Sequence, residues 1–552
     1  MKEFALGIDF GSNSVRALII DADNGAEYGT ASFIYSGGND GIFTVPDNPH
    51  LARQNPEAYL ETMENCVKSA LKEASAKPDF NVKSIIGIGI DATASTPLPV
   101  TEDLRPLSSL PEFHDNLNAY AWMWKDHTAI EEAAQITAAA RAERPEYLEK
   151  CGGSYSAEWF WSKLWHCLNN DKKVFDAAYT WLDFPDFIPA VLGGIKHISQ
   201  VKAGICAAGH KSLYCEEWGG LPDADFLKSL APELAALRPR LYQKAYPADT
   251  VAANLCPEWA KKLGLPTGIP IAAGIIDAHS GAVGAGVGKG RMVKIIGTSS
   301  CDILAEPAHG KIPDIPGICG IVNGSVLPGC LGIEAGQAAV GDILNWFVSK
   351  VCASDHKLFK TLHDEAVKLR PGQSGLLALD WQNGNRNILC DQQLTGLIIG
   401  MTLHTSQAEI FRALIEATAF GAKKILDRLE QYGIVINEVI CCGGIAEKDA
   451  LFMQIYADIL GRQLLLSASA QTCALGAAIF GIVVAGKYSS TEAAQEKICQ
   501  FKDKVYQPNP ENRKRYAELY ELYSELHDSF GVAGKSFDHA ALMKRLLKLS
   551  RG

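Results

Sequence analysis

The start of the chain consists of two mainly apolar runs separated by a short polar turn. The runs are Phe4–Ile8 and Val15–Asp21, and the residues between them are polar or small. Two apolar runs joined by a turn of Gly, Ser and Asn are typical of a β-hairpin. The pattern therefore predicts a hairpin at the start of the chain.

The same pattern returns in the second half of the chain. Met292–Ile296 and Cys301–Ala305 flank the turn Gly297–Ser300, and Gly297 lies 286 residues after Gly11. An offset of about half the chain predicts an internal duplication, with one small-residue hairpin in each half.

Further apolar runs predict buried strands and amphipathic helices between and after the hairpins. Near-continuous apolar runs indicate strands, and apolar residues three or four positions apart indicate helices. The predicted strands are Ser84–Ile90, which ends at Asp91, Ile269–Ile276, which ends at Asp277, and Val439–Cys442. The predicted helices are Pro56–Ala74, Glu409–Gln431, Ala450–Leu460 and Thr472–Ala485, and a charged helical tail follows from about residue 490.

Composition excludes several classes of protein. The 552 residues are 47% hydrophobic and 21% charged, which is typical of a globular protein of two to four domains. A net charge of −11 argues against a broad grip on nucleic acid, which needs basic surface to displace counterions. No apolar window is long enough for a membrane span or a signal peptide, and the 15 cysteines show no zinc-binding spacing. We therefore expect a cytoplasmic protein that binds neither membrane nor nucleic acid.

Two segments have a composition of their own. Residues 111–220 are rich in aromatic side chains, and we interpret them as an insertion that covers a substrate, although a role in the core is equally compatible with these residues. The glycines of 284–290 lack the spacing of a Walker A loop or of a dinucleotide-binding turn. We expect them to let a helix pack closely against a strand.

The two hairpin turns carry the candidate chemistry. Turns of Gly, Ser, Asn and Thr present backbone N–H groups with little steric bulk, and two such turns facing each other can clamp the β- and γ-phosphates of a nucleotide. Asp9 is a candidate ligand for Mg²⁺-bound water, and Arg16 is a candidate phosphate partner. A carboxylate at a strand end, either Asp277 or Asp91, can act as general base. Gly443 and Gly444 permit close approach of an adenine ring.

Several sequence blocks resemble the FGGY family of carbohydrate kinases over about residues 4–490. These are DFGSNSVR, AGIIDAHSGAVG, IIGTSS and CCGGIAEKDALFMQIYADIL. The resemblance implies an α/β fold with two actin/hexokinase/Hsp70-like (ribonuclease H-like) domains that flank a deep cleft for ATP and sugar. Other blocks, among them GIDATASTPLPV, AEWFWSKLWH and LDWQNGNR, are similar to the family branch that phosphorylates L-ribulose.

The resemblance also implies roles for individual residues. It implies that Asp277 is the catalytic base and that Asp9 is associated with Mg²⁺. The sugar-binding residues that it implies are Ala94, Lys211, Asp277 and Glu334. The ATP-binding residues that it implies are Ser12, Asn13, Arg16, Gly297, Thr298, Gly443, Gly444 and Lys448.

The expected function is ATP-dependent phosphorylation of L-ribulose to L-ribulose 5-phosphate in L-arabinose catabolism. A kinase for D-ribulose, xylulose or a pentitol stays open as an alternative, as does an actin- or Hsp70-like ATPase that has no sugar substrate. We expect an N-terminal domain of residues 1–275, a C-terminal domain of residues 276–490 and a helical element of residues 491–552. The expected partners are ATP, the sugar and a second copy of the chain in a dimer.

Overall fold

A seven-stranded sheet, the first sheet, forms the core of the first half of the protein. The computed structural model describes residues 2–308 and 314–551. In spatial order the strands are Val251–Asn254, Pro270–Ala272, Ile85–Ala92, Phe4–Phe10, Ser14–Asp21 and Glu27–Ile34, with Ile275–Ile276 also paired to Ile85–Ala92. Phe4–Phe10 and Ser14–Asp21 are antiparallel neighbours, which confirms the first predicted hairpin.

A six-stranded sheet, the second sheet, repeats this arrangement in the second half. Its strands are, in spatial order, Gly320–Asn323, Cys330–Gln337, Ser300–Pro307, Arg291–Ile296, Glu438–Cys442 and Gln463–Leu466. In each sheet a hairpin is extended on one side by an antiparallel strand and on the other by parallel strands. The structure therefore confirms the predicted duplication with one hairpin in each half.

Short strand pairs surround the two sheets. They are Phe43–Val45 and Asn48–Gln54 with Ala121–Trp122, Pro97–Val100 with Thr180–Asp183, Ala203–Gly204 with Ala245–Tyr246, and Leu377–Leu379 with Leu397–Ile399.

The helices agree closely with the periodicity of the sequence. Their bounds are Pro56–Ala74, Ile130–Glu143, Glu146–Glu149, Phe160–Asn170, Lys172–Ala177, Phe184–Leu192, Ile205–Lys211, Ala224–Leu230, Pro232–Leu237, Pro257–Leu263, Asp277–Gly284, Gly341–Trp346, His356–Ala366, Gln407–Gln431, Gly444–Lys448, Ala450–Leu460, Thr472–Val484, Thr491–Ile498, Pro510–Gly531 and His539–Arg551. Local sequence explains where they begin. Asn55 caps the helix that starts at Pro56, and Ser406 with Glu409 forms a capping box before the longest helix.

The prediction of one continuous strand over 269–276 is wrong. The segment forms two short strands, in which Ile271 pairs with Ile88 and Ile275 with Asp91, so it holds one residue more than its partner over the same stretch. A Cβ on Gly274 would lie 1.9 Å from the carbonyl oxygen of Pro185, so the chain here is pressed against a neighbouring helix. The extra residue bends the strand, as bulges do, just before Asp277.

Glycines allow two helices to pack backbone to backbone between the sheets. A Cβ on Gly284 would lie 2.1 Å from the carbonyl oxygen of Thr472, and one on Gly476 would lie 1.9 Å from that of Ser280. The expectation that Gly284 packs against a strand is therefore wrong, since its neighbour is the helix Thr472–Val484. That helix also covers the first sheet, where a Cβ on Gly89 would lie 1.7 Å from the carbonyl oxygen of Ala477.

The tail helix Pro510–Gly531 packs on its own chain. Its tyrosines and leucines, Tyr516, Leu519, Leu522 and Tyr523, are buried in the core that contains the second sheet. Within the described parts of the chain, the helices lack the combined length and apolar composition needed to cross a membrane. The division of the chain at 275/276 and 490/491 stays a prediction.

Candidate active site

The turns of both hairpins line one cavity of about 250 Å³. The other walls come from the ends of the strands Ile85–Ala92 and Ile275–Ile276, from the aromatic segment and from the second sheet. The lining residues are Ser12, Thr93, Ala94, Ser95, Trp124, Glu158, Trp159, Lys211, Ile276, Asp277, Ala278, His279, Ile295, Gly297, Thr298, Ser299, Ser300, Cys301, Glu334 and Arg386. Of the sequence-predicted residues, the cavity brings together Ser12, Ala94, Lys211, Asp277, Gly297, Thr298 and Glu334.

The first turn is held in place by side chains from neighbouring segments. The indole N–H of Trp124 donates to the Ser12 hydroxyl at 2.9 Å, and the side-chain amide of Gln54 donates to the Ser12 carbonyl at 2.8 Å. Asn13 is exposed, and its amide donates to the carbonyl of Asp40 at 3.1 Å. Arg16 is also exposed and donates to the Asp9 carboxylate at 2.9 Å. Asn13 and Arg16 are not among the residues that line the cavity.

The second turn packs closely against the segment that contains Gly341. A Cβ on Gly341 would lie 2.6 Å from the carbonyl oxygen of Gly297 and 2.8 Å from Ile445. The amide of Val340 donates to the Thr298 carbonyl at 2.8 Å. Only a glycine fits at position 341, and the segment is thereby fixed beside the turn.

Gly443 and Gly444 end the strand Glu438–Cys442 on the same side. Gly443 has a φ of +97°, and a Cβ there would lie 2.4 Å from the carbonyl oxygen of Ile296. Within the described residues, a Cβ on Gly444 would meet no atom within 4 Å, so this glycine faces open space. Lys448 is exposed at the end of the short helix that follows. The adenosine-binding role of these residues stays a prediction.

Three carboxylates converge at the carboxyl ends of the central strands of the first sheet. Asp9 and Asp91 are register partners on parallel strands, and Asp277 follows directly after the strand Ile275–Ile276. Asp91 is fully buried, and among the described residues neither of its carboxylate oxygens has a hydrogen-bond partner. Burial, followed by the charges of Asp9 and Asp277, raises the pKa of Asp91 well above its usual range.

Asp277 differs from Asp91 because it lines the cavity. Its carboxylate accepts a hydrogen bond of 2.7 Å from the amide of Ala278. Burial and the charge of Asp9 raise the pKa of Asp277 to about 6. A carboxylate that is ionised at neutral pH but more basic than usual is suited to accept a proton from a substrate hydroxyl. The geometry therefore favours Asp277 over Asp91, which the sequence alone left open.

A divalent cation fits the charge balance of this corner. Asp9, Asp91 and Asp277 bring three carboxyl groups together; Arg16 pairs with Asp9, and the charges of Lys211 and Arg16 act on Asp277. The unpartnered oxygens of Asp91 lie beside Asp9, and carboxylate oxygens are the ligands that Mg²⁺ prefers. Asp9 and Asp91 are thus the residues that would hold it.

Lys211 and Glu334 form a buried ion pair in the cavity wall. The ammonium of Lys211 donates to both oxygens of Glu334, at 3.2 and 3.1 Å. Arg386 also donates to Glu334, at 3.4 Å. Burial alone would raise the pKa of Glu334, yet Lys211, the two histidines His210 and His279, and Arg386 hold it well below its ordinary value. The pair therefore stays charged and offers hydrogen bonds to a polyhydroxylated ligand.

Sequence reasoning missed the histidines beside this pair. His210 precedes Lys211 and His279 follows two residues after Asp277; their Nε2 atoms are 3.2 Å apart, and both rings are buried. Burial lowers the pKa of both rings, so each is neutral at pH 7. Cys206 has its sulfur within 4.8 Å of ligand atoms of both rings. The motifs GHK and DAHS contain these histidines but do not reveal that they meet.

A buried lysine that sequence reasoning also missed supports the wall near Ala94. Lys163 donates to the carbonyls of Ser95 at 2.7 Å and Met123 at 2.8 Å. Burial lowers the pKa of Lys163 to about 7.

Tryptophans of the aromatic segment lie in two kinds of place. Trp122 lies in the core with Arg53 over its ring, whereas Trp124 lines the cavity.

Comparison with known proteins agrees with this geometry. Residues 4–284 match the N-terminal domain of the FGGY family of carbohydrate kinases, and residues 292–485 match its C-terminal domain. A curated relative from Vibrio parahaemolyticus serotype O3:K6, named "Ribulokinase", is 39% identical over 545 residues, which cover 95% of each chain. A relative of the same name from Halalkalibacterium halodurans is 38% identical and covers 99% of this chain and 97% of its own.

Solved structures of lower identity share the fold. A xylulose kinase from Rhodospirillum rubrum has a TM-score of 0.78 at 21% identity, covering 96% of this chain and 99% of its own. The glycerol kinase of Plasmodium falciparum, solved with ADP, has a TM-score of 0.76 at 17% identity, covering 95% of this chain and 98% of its own. These likenesses confirm the expected two-domain α/β architecture.

Proposed function

The chain belongs to the FGGY family of carbohydrate kinases, and we propose that it transfers the γ-phosphoryl group of ATP to the 5-hydroxyl of L-ribulose. The product is L-ribulose 5-phosphate, an intermediate of L-arabinose catabolism. Relatives named "Ribulokinase", at 36–39% identity over nearly the whole chain, support this choice of sugar. The observation that carries the proposal is that both hairpin turns, Asp277, Lys211 and Glu334 line one cavity.

Asp277 is the proposed general base. It accepts the proton of the 5-hydroxyl while that oxygen attacks the γ-phosphorus in line. The amide of Ala278 holds the carboxylate at 2.7 Å, so its orientation is fixed before the sugar binds. General-base help of this kind contributes about 10²–10⁴-fold, and positioning of the reactants supplies much of the rest.

The two turns are the proposed phosphate clamp. Ser12 with Asn13 and Arg16, and Gly297 with Thr298, would present N–H groups and charge to the β- and γ-phosphates. Arg16 donates a hydrogen bond to Asp9, so it lies beside the acidic corner. Gly443, Gly444 and Lys448 would bind the adenosine part of ATP.

Mg²⁺ is the proposed cofactor. When bound, it would neutralise charge on the transferred phosphoryl group. Asp9 and Asp91 would hold it, directly or through water, because they are register partners at this corner and the oxygens of Asp91 have no hydrogen-bond partner among the described residues. A bound cation would favour the ionised form of Asp91, whose pKa is raised well above its usual range by burial and by the neighbouring carboxylates.

Lys211 and Glu334 are the proposed sugar-orienting pair, with Ala94 leaving space beside them. An ammonium donor and a carboxylate acceptor together bind neighbouring hydroxyls of a polyol. Each bonds the other at 3.1–3.2 Å, so the pair holds both side chains in place.

The alternatives make different predictions about turnover. A kinase for D-ribulose, xylulose or a pentitol would keep Asp277 and the turns but prefer another acceptor. An actin- or Hsp70-like ATPase would hydrolyse ATP without sugar. The second alternative leaves the buried Lys211–Glu334 pair beside Asp277 without a task, which disfavours it.

A coupled ADP-release assay with Mg·ATP tests the proposal. The acceptor panel is L-ribulose, D-ribulose, D-xylulose, L-xylulose, ribitol and glycerol, with a no-sugar control. The highest kcat/KM with L-ribulose supports the proposed substrate. Preference for another sugar replaces the substrate but keeps the reaction, and substantial turnover that no sugar stimulates overturns the kinase proposal.

We further propose a dimer and a cytoplasmic location. Size-exclusion chromatography with light scattering measures the first, since a mass near 119 kDa corresponds to two chains of 59.6 kDa. Fractionation of producing cells measures the second. We keep the proposed N-terminal, C-terminal and tail boundaries at 275/276 and 490/491, which limited proteolysis tests.

A further inference from the structure

A second cavity, of about 450 Å³, adjoins the candidate active site. It lies between the helix Ile130–Glu143 and the segment that contains Cys390–Gln392. Only Glu158, Trp159 and Arg386, among the described residues, line both this cavity and the active-site cavity. These three side chains are therefore the wall between the two spaces, and we call them the partition.

Two members of the partition are firmly anchored. The carboxylate of Glu158 is 2.8 Å from Nε2 of His127. Trp159 is 6% exposed; its ring packs edge-on against Tyr155 at 5.1 Å and lies 5.7 Å from the ammonium of Lys211. Both residues belong to the aromatic segment.

Arg386 closes the wall from the second half of the chain. Its guanidinium donates to Glu334 at 3.4 Å, and Glu158 is among the charges that stabilise the Arg386 cation. The side chain is 31% exposed, and this one bond to Glu334 is the hydrogen bond that fixes it among the described residues. Arg386 is thus the least anchored part of the partition.

The partition adjoins the proposed sugar-orienting pair. Arg386 donates to Glu334 at 3.4 Å, and the Trp159 ring lies 5.7 Å from the ammonium of Lys211. A sugar that has its terminal hydroxyl at Asp277 and its other hydroxyls on this pair would therefore extend towards the partition. The far end of the sugar chain meets Glu158, Trp159 and Arg386.

We infer that the partition sets the length of the sugar: it stops a five-carbon acceptor and excludes a six-carbon one that would need space in the adjoining cavity. This inference rests on the proposed function, because it requires that the terminal hydroxyl be held at Asp277. A wall discriminates by steric exclusion, because a longer sugar cannot bind without displacing the side chains that form the wall.

Shortening Arg386 tests the inference. The Arg386→Ser variant should raise the ratio of kcat/KM for 2-ketohexoses to that for L-ribulose at least about tenfold over wild type. D-Fructose, L-sorbose and D-tagatose are suitable hexose probes. Arg386→Lys keeps the charge and most of the length, so its hexose-to-pentose ratio of kcat/KM should rise less than that of Arg386→Ser. Arg141→Ser is the matched control, because Arg141 lines only the adjoining cavity and is exposed.

The hexose-to-pentose ratio of kcat/KM separates a role of Arg386 in sugar length from a role in supporting Glu334. If Arg386 only supported Glu334, Arg386→Ser would lower kcat/KM for pentoses and hexoses alike, and the unchanged ratio would overturn the inference. Should wild type turn over no pentose, the proposed function fails instead. Titration calorimetry with L-ribulose and D-fructose measures the effect of the partition on binding without turnover. Equal hexose-to-pentose affinity ratios in wild type and Arg386→Ser would refute the inference.

Discussion

Lys211 donates to both carboxylate oxygens of Glu334, at 3.2 and 3.1 Å, and joins the first half of the chain to the second sheet. Both side chains are buried, so removing one partner leaves an uncompensated charge. Lys211→Met should therefore lower the free energy of unfolding by about 3 kcal/mol. The double variant Lys211→Met/Glu334→Gln should recover most of that loss.

Activity should not follow stability in this pair. If Lys211 and Glu334 orient the sugar, the double variant stays poor in kcat/KM for L-ribulose although it is stable. Thermal unfolding and ADP-release kinetics on the same samples measure both. A double variant that regained wild-type turnover would reduce the pair to a structural role.

Replacing Asp277 should lower catalysis and raise the stability of the fold. Burial and Asp9 raise the pKa of Asp277 from 3.8 to about 6, so the ionised carboxylate disfavours the folded state at neutral pH. Asp277→Asn should lower kcat by about 10²–10⁴-fold. It should also raise the free energy of unfolding at pH 7, by up to about 3 kcal/mol. An Asp277→Asn protein that is both stable and fully active would exclude Asp277 as the base.

The same pKa predicts the acid limb of the pH profile. A base must be ionised, so kcat/KM for the sugar should be constant above pH 7 and fall about tenfold per pH unit below about 6. Asp9→Asn removes the neighbouring negative charge and should move this limb to lower pH. A profile that stays flat to pH 4.5 in the wild-type protein would contradict the assignment.

The sequence predicts those structural elements whose cause lies in neighbouring residues and misses those caused by contacts distant in sequence. The hairpins and the helix Pro56–Ala74 follow from apolar periodicity and from the cap at Asn55, so they are predictable. The break near Gly274 is not, because it arises from the carbonyl of Pro185, 89 residues away in sequence.

The candidate site divides in the same way. The resemblance of motifs identified Asp277, Lys211 and Glu334, which line the cavity. GIGIDA and AGIIDA are alike as sequences, so sequence position alone does not choose between Asp91 and Asp277. The resemblance pointed to Asp277, and Asp277 is the one of the two that lines the cavity. The contact of Arg386 with Glu334 depends on tertiary packing, and no periodicity or spacing encodes it.

Gly443 and Gly444 should respond differently to substitution. Gly443 has a φ of +97° and a carbonyl 2.4 Å from the position of a Cβ, so Gly443→Ala should destabilise the fold by about 1–3 kcal/mol. Gly444 faces open space, so Gly444→Val should leave the melting temperature unchanged. If adenosine lies against this surface, Gly444→Val raises the KM for ATP at least about tenfold. A normal KM for ATP in that variant would move the nucleotide elsewhere.

Replacing Asp91 should weaken the binding of a divalent cation rather than the binding of the sugar. Its two oxygens are buried without a described partner, beside Asp9. If the two carboxylates share the cation, Asp91→Asn weakens Mn²⁺ binding at least about tenfold, because a charged ligand is lost. Electron paramagnetic resonance with Mn²⁺ and a non-hydrolysable ATP analogue measures the Mn²⁺ affinity without turnover.

The half-buried Asp103, which pairs with Arg105, gives a control, and Asp103→Asn should bind Mn²⁺ normally. Without metal, Asp91→Asn should unfold at a higher temperature than wild type, because the substitution removes a carboxyl group from a buried cluster of like charges. Unchanged Mn²⁺ affinity in Asp91→Asn would leave Asp9 as the carboxylate that holds the cation.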